Sequence, residues 1–518
     1  MGWEKELEEL RRRKEAAEKL GGEERVATHR AAGKLTVRER IAALLDPESF
    51  REVGSLAGRA TYDEKGDLDE FLPANFVMGR GTIDSRPVMV GGDDFTVRGG
   101  SSDAAIHRKQ IYGEQMAREL RIPMVRLVDG SSGGGSVKSY HDLGRTYVPP
   151  LTGWEHEVAM LAEIPVAAAA LGSVAGLGAA RVVTSHFSVM VEGTAQVFVA
   201  GPPVVAYATH EDVDKEALGG AAIHTRNGVV DNPASSELDA FAQIRRFLSY
   251  LPRHAWEAPP RTKPADDPGR REEALLSIIP RERRHIYNVR RLLSLVLDTD
   301  SFFEIGPRWG RCLVTGLARL DGFPVGVLAS DPAHDGGTLT ADGSDKLRRF
   351  VDLCDTFHLP IASFVDQPGF TVGTVAERAA TIRRGATAIA ALYEARTPFF
   401  SVIIRRAFGV AGAALVDRGD PDLRVAWPSG DWGSLPVEGG IEAAYRRQLE
   451  AAPDPEALRL ELLESVEAIR SPFRTAESFF IEEIIDPRDT RPLLCEWVAL
   501  AYDTIPHRLG PRPQGYRP

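Results

Sequence analysis

Arg405-Arg406-Ala407-Phe408-Gly409-Val410-Ala411-Gly412-Ala413-Ala414 follows directly on the apolar run Phe399-Phe400-Ser401-Val402-Ile403-Ile404. A β-rich run that breaks into small residues predicts a strand-to-helix turn, where backbone N–H groups lack helical partners and can face a ligand. Such a turn can hold an oxyanion.

The chain contains this pattern twice. Pro165 leads through an apolar run to Gly172-Ser173-Val174-Ala175-Gly176-Leu177-Gly178-Ala179-Ala180, so Gly176 stands eleven positions after Pro165, as Gly409 does after Pro398. Upstream, Pro123 precedes Asp129 by six positions, and Pro360 precedes Asp366 by six. Gly79-x-Gly81-x-x-Asp84-x-x-Pro87 recurs 237 positions later as Gly316-x-Ala318-x-x-Asp321-x-x-Pro324. Asp46-Pro47-Glu48-Ser49-Phe50-Arg51-Glu52-Val53-Gly54 is echoed by Asp298-Thr299-Asp300-Ser301-Phe302-Phe303-Glu304-Ile305-Gly306. The order is the same in both halves, and a period this long means duplicated domains, not a solenoid.

Size agrees, because 518 residues exceed one ordinary core and predict two domains of roughly 230–250 residues. A Pro-rich stretch follows Leu251 and marks the division: residues 1–257 form the first domain, 258–272 the linker and 273–518 the second. Hydrophobic content of 43% and charged content of 26% are those of a folded soluble protein, and a net charge of −11 argues against a general nucleic-acid surface. The three cysteines lack any Cys-x-x-Cys spacing and read as buried free thiols in a reducing cytoplasm. Met1-Gly2-Trp3-Glu4 opens a charged segment without the character of a secretory leader, and the Ala/Gly-rich run 164–180 is too short to span a membrane.

Periodicity predicts a solvated helix over 3–20 and a capping box at Thr36 with Glu39. Strand-like and helical runs then alternate: strands at 87–91, 123–128 and 166–171, helices at 104–120, 154–162, 212–218 and 237–251. The second half repeats the rhythm, with strands at 324–330, 360–365 and 399–404 and helices at 287–296, 344–357, 377–393, 455–469 and 491–502. Parallel βαβ units are expected.

Among candidate sites, Asp129-Gly130-Ser131-Ser132-Gly133-Gly134-Gly135 lacks the Gly-Lys-Ser/Thr of a P-loop. Gly99-Gly100-Ser101-Ser102 precedes a helix whose N-terminus could meet an anion. The Ser of Gly172-Ser173-Val174-Ala175-Gly176 is one place off a nucleophile elbow, and His186, His210, His224 and His334 are without ligand spacing. Asp129 and Asp366 read as caps at strand ends. No metal set stands out. Two backbone-amide sites without an obvious side-chain base suit a reaction whose substrate or cofactor brings its own base.

Further residues complete the picture: His29-Arg30-Ala31-Ala32-Gly33-Lys34-Leu35-Thr36-Val37-Arg38-Glu39-Arg40, Asp94-Phe95-Thr96-Val97, Met190-Val191-Glu192-Gly193-Thr194, Phe364-Val365-Asp366-Gln367-Pro368-Gly369-Phe370, Ala426-Trp427-Pro428 and Ile485-Asp486-Pro487-Arg488-Asp489-Thr490-Arg491. Over nearly the whole chain the sequence resembles the carboxyltransferase (β) subunit of biotin-dependent acyl-CoA carboxylases, such as propionyl-CoA carboxylase. The resemblance implies an α/β fold, a tandem duplication of two crotonase-like (ClpP/crotonase) ββα spiral domains. It implies CO2 transfer from carboxybiotin to the α (or vinylogous) carbon of an acyl-CoA, in a homohexamer joined to a biotin carboxylase/biotin carrier α subunit as an α6β6-type cytoplasmic complex, with no membrane or nucleic-acid partner.

Residue by residue, the resemblance implies that Gly176 and Leu177 hold the thioester enolate, and that Val410 and Ala411 hold the biotin ureido oxygen. Phe408, Gly409 and Gly369 would flank the biotin, and Gly99, Gly100, Gly133, Gly134 and Ala413 the acyl-CoA. The family usually has a second glycine where Leu177 and Val410 stand, so retained activity with an altered pocket is expected. Alanine at 413, where the family often selects the acyl group, predicts a substrate larger than acetyl. Arg126 and the glycines after Asp129 also depart from the family's pattern. The chain lacks Met-Lys-Met and an ATP-grasp-like region, which places biotin and ATP chemistry on a partner. The same site would also serve a biotin-dependent decarboxylase subunit. A biotin-independent crotonase-fold enzyme and a non-catalytic scaffold are also compatible with these residues.

Overall fold

Runs such as Val166-Ala167-Ala168-Ala169-Ala170 and Ile361–Gln367 are buried along their whole length, which suits strands covered on both faces by helices. The computed structural model describes residues 2–101, 106–130, 140–141, 144–146, 148, 151–264, 266–282, 285–417, 423–467 and 469–518. The chain forms two units, Met1–Glu257 with Gly510–Pro518, and Ala258–Leu509. The last residues join the first unit because Gly510 N–H donates to Ala255 O at 2.7 Å and Tyr516 packs on His186.

In the first unit a seven-stranded sheet runs in the order Arg51–Val53, Phe76–Ile83, Arg86–Asp93, Met124–Val128, Val166–Ala170, Phe187–Val191, Asn232–Ala234. Its first three strands are antiparallel and the rest pair parallel. The second unit has the same plan over Phe303–Ile305, Leu313–Leu320, Phe323–Ser330, Ile361–Gln367, Phe399–Phe408 and Leu423–Ala426, with Asp431–Gly433 also pairing the long strand. Two antiparallel hairpin pairings followed by parallel crossovers make each unit a ββα spiral.

The duplication extends to single hydrogen bonds. Asp46 accepts the N–H groups of Asp84 and Ser85, as Asp298 accepts those of Asp321 and Gly322. Asp84 and Asp321 share a left-handed φ of 50° and 49°. Arg38 pairs with Glu52 at 2.9 Å, and Arg290 with Glu304 at 2.6 Å. Thr36 and Asn288 each cap the helix that follows, Thr36 within the expected capping box.

Most expected elements appear within a few residues of their predicted ends. The strand expected at 399–404 runs on to Phe408, so Arg405 and Arg406 lie in the sheet and the turn is confined to Phe408–Gly409. The Pro-rich stretch is fastened to the second unit: Thr262 N–H donates to Gly322 O, and Arg270 reaches Asp266, Glu272 and the carbonyls of Leu295 and Leu297. The helices Pro202–Thr209 and Val437–Ala444 and the hairpin Gly58–Tyr62 with Leu68–Pro73 have little buried surface, so periodicity did not mark them. All three cysteines are buried free thiols. Among the described residues no helix is long and apolar enough to cross a membrane.

Candidate active site

The glycines that carry the two turns are alike. Gly176 has φ 59° and ψ −122°, and Gly409 has φ 60°. These values lie where L side chains rarely go. Leu177 and Val410 are absent from the positive-φ set and open the helices as ordinary helical residues, so the departure from glycine there carries no backbone strain. Their side chains project outward, Leu177 being 39% and Val410 60% exposed. Ala413, one turn on from Val410, is also exposed.

The helix Gly409–Val416 follows an extended Phe408, so the amides of Gly409, Val410 and Ala411 have no carbonyl four residues back inside the helix. In the first unit the first such bond is Ala180 N–H to Gly176 O. Gly176 N–H itself donates to Phe198 O at 3.2 Å, within the small parallel pair Ser173–Ala175 and Gln196–Phe198. An acceptor at that turn shares the Gly176 amide with Phe198.

Other predicted residues gather around each turn. Gly99 and Gly100 have φ 64° and 67°, and a methyl on Gly100 would lie 2.8 Å from Gly130 Cα. A methyl on Gly178 would stand 3.5 Å from Gly130 O, which links the Gly99–Gly100 turn, the end of the strand Met124–Val128 and the helix Leu177–Val183. The second unit repeats this: Gly337 lies against Asp366 O, and Gly369, with φ 126°, against Phe408 O. Phe408 is buried and lines a cavity of about 800 Å³ together with Pro368, Arg405, Arg406, Ser429 and Gly430. Gly133 and Gly134 lie outside the described residues.

Asp129 and Asp366 are anchors. Asp129 is fully buried between Arg40 at 2.9 Å and Lys34 at 3.2 Å. Asp366 takes Arg405 at 2.7 Å, Arg406 at 2.6 Å and the Tyr287 hydroxyl at 3.0 Å. Burial pushes the Asp366 carboxyl up, but the two guanidinium groups outweigh it and hold the group below its ordinary range. A carboxylate clamped ionised by two cations is a poor general base. His186 accepts from Val166 N–H through Nδ1 and so donates from Nε2 to Leu161 O, a structural role.

A carboxyl transferase domain matches residues 28–509. The propionyl-CoA carboxylase carboxyltransferase subunit of Haloferax mediterranei is 36% identical over 498 residues, 95% of either chain. The chain belongs to the carboxyl transferase family. Methylmalonyl-CoA decarboxylase subunit alpha of Veillonella parvula is 32% identical, over 93% of this carboxyl transferase and 92% of that protein. Among solved structures, the transcarboxylase 12S hexamer with methylmalonyl-coenzyme A and methylmalonic acid bound superposes with a TM-score of 0.87 at 30% identity, over 97% of both chains.

Sequence reasoning missed what holds the first turn of this carboxyl transferase. Arg126, noted only as a departure from the family pattern, forms a closed buried ring with Glu114 (3.0 Å), Glu157 (2.9 Å) and Arg181, which pairs with the same two glutamates at 3.0 and 3.3 Å. Arg126 Nη1 also donates to the carbonyls of Arg181 and Thr184, at the far end of the helix Leu177–Val183. The guanidinium thus caps the C-terminus of the helix whose N-terminus forms the turn. The spacing of the four residues carries no motif, because they come from different elements. Gly412 is a second missed residue: a methyl there would come within 2.7 Å of the Ala407 backbone, so the helix can lie close to its strand only with glycine.

Proposed function

We propose that this chain is the carboxyltransferase subunit of a biotin-dependent acyl-CoA carboxylase, with acyl-CoA held in the first unit and biotin in the second. The observation that carries the reading is the paired turn, one in each unit, with a left-handed glycine followed at once by the opening amides of a helix. At Gly176 and Leu177 the backbone and the positive end of the helix stabilise the thioester oxygen as it gains charge on loss of an α proton. At Val410 and Ala411 two amides hold the ureido oxygen. When bound, biotin carried by a partner subunit supplies the carboxyl group and the basic nitrogen. The second unit's residues fit it: Phe408 offers an apolar wall to the cavity, Gly369 leaves room beside it, and Val410 presents an exposed apolar side chain at the turn.

The methyl of Ala413, exposed on the face of Val410, leaves space for an acyl chain longer than acetyl, with propionyl-CoA the first choice. The subunit works as a homohexamer with a biotin-carrying α partner in the cytoplasm. The same turns stabilise the same charges in either direction, so decarboxylation by this chain is the second reading; the Veillonella relative favours it. The test is the purified chain mixed with free biotin and methylmalonyl-CoA or malonyl-CoA. Biotin-dependent loss of the carboxyl group, faster from methylmalonyl-CoA, is expected. Carboxyl loss that ignores biotin would point to a biotin-independent crotonase-fold enzyme.

A further inference from the structure

We propose that the N-terminal arm, residues 4–31, positions the acyl-CoA turn, with Gly21 and Thr96 as positioning residues; this rests on reading Gly99–Gly100 as part of the acyl-CoA site. The arm is two helices, Glu4–Glu18 and Glu23–Ala31, joined at Leu20 and Gly22, which have φ of 55° and 94°. Between them Gly21 N–H donates to Thr96 Oγ1 at 2.9 Å. The approach is so close that a methyl on Gly21 would lie 2.0 Å from Thr96 O. His29, on the second helix, stacks on Phe95 with ring centroids 5.9 Å apart. Both contacts fall on Asp94-Phe95-Thr96-Val97, the segment that leads into Arg98-Gly99-Gly100.

The duplicated unit shows why this matters. There the equivalent turn, Asp335–Gly337, follows Asp331, whose carboxylate is fixed directly by Arg290 at 2.8 Å. In the first unit the equivalent arginine, Arg38, donates to Ala17 O of the arm and to Glu52. Asp94 is 1% exposed, and its Oδ2 has no hydrogen-bond partner among the described residues. Among the described residues the Asp94 carboxylate is held by Thr96, through its N–H and Oγ1 on Oδ1 at 2.9 and 2.6 Å. The arm engages Arg38 through Ala17 O, and the Gly21–Thr96 bond gives the Asp94 segment a hold where the second unit has the Arg290–Asp331 pair. The Gly99–Gly100 turn, packed on Gly130, therefore takes its position from the arm.

Gly21→Ala and Thr96→Val test this, with Thr96→Ser as the conservative variant. Propionyl-CoA binding by the full chain is measured by calorimetry, alongside KM for propionyl-CoA and for free biotin. Thr96→Val removes the Oγ1 bonds to Gly21 N–H and Asp94, and Gly21→Ala forces the arm off Thr96 O; both are expected to weaken propionyl-CoA binding about tenfold, with a lower thermal midpoint in a chain that still folds, KM for biotin held and Thr96→Ser like wild type. Unchanged propionyl-CoA affinity in Thr96→Val, or equal losses for both substrates, would overturn it. A wild-type chain that binds propionyl-CoA but shows no biotin-dependent turnover would defeat the proposed function, while the affinities of the variants would still decide the role of the arm. A wild-type chain that binds no CoA thioester would overturn both.

Discussion

Gly176 and Gly409 share a positive φ, 59° and 60°, each immediately before the residue that carries a side chain at its turn. The strain that a side chain could cause is therefore placed on the glycines. Leu177 and Val410 escape it.

Replacing either glycine with alanine forces a Cβ into that region and should cost about 1–3 kcal/mol. Denaturant midpoints of Gly176→Ala and Gly409→Ala should fall accordingly, with carboxyl transfer reduced. Leu177→Gly and Val410→Gly should lose only about 0.5–1 kcal/mol from helix propensity. Equal stability losses at all four positions would contradict this division.

Both turns were legible in the sequence because strand, glycine and small-residue run are all local signals, and the repeat confirmed one by the other. The backbone angles decided what the residue types left open, namely that positive φ falls on Gly176 and Gly409. The ring of Glu114, Arg126, Glu157 and Arg181 was illegible because its members meet only through tertiary packing. The role of Asp129 and Asp366 was misread for the same reason: a strand-end aspartate suggests a cap, but the cations that claim each one arrive from distant segments, Lys34 and Arg40 for Asp129.

The buried ring predicts a strong penalty for breaking it. Burial raises the Glu114 carboxyl, but Arg126 and Arg181 hold it below its ordinary range, so it is ionised in the fold. Glu114→Gln leaves two guanidinium groups short of charge and should cost about 3–5 kcal/mol. Chemical denaturation measures this, and a loss under about 1 kcal/mol would refute the ring as an anchor.

Lys109 and Lys346 occupy equivalent buried positions but differ in partners. Lys346 Nζ donates to Gly306, Trp309 and Leu313 carbonyls at 2.8, 3.0 and 2.7 Å. Burial brings the Lys109 ammonium down to about 8, with Glu52 opposing and Arg38 adding to the effect. Lys346→Met, which removes the ammonium from three carbonyls, should lower stability by about 3 kcal/mol, whereas Lys109→Met should be neutral or stabilising near neutral pH. Comparable losses in the two variants would contradict the difference.

Asp93 predicts a pH dependence. Burial pushes its carboxyl up to about 6, with Arg181 and the Asp129 N–H working the other way. Since the folded chain then holds a proton that the unfolded chain has released, stability falls as pH rises between roughly 4 and 6 and is level above. Asp93→Asn should therefore gain stability relative to wild type from about pH 4 to about pH 6 in denaturation series. Parallel profiles would contradict it.

The central claim is that backbone amides at the two turns perform the chemistry, and Ala411→Pro tests it most directly because it deletes one N–H and adds no polar group. The measurement is the rate of biotin-dependent carboxyl loss from methylmalonyl-CoA, with the thermal midpoint as the check on folding. Removal of an oxyanion donor should lower kcat by about 10²–10³, or roughly 3 kcal/mol, in a folded protein. Turnover equal to wild type in folded Ala411→Pro would contradict the account.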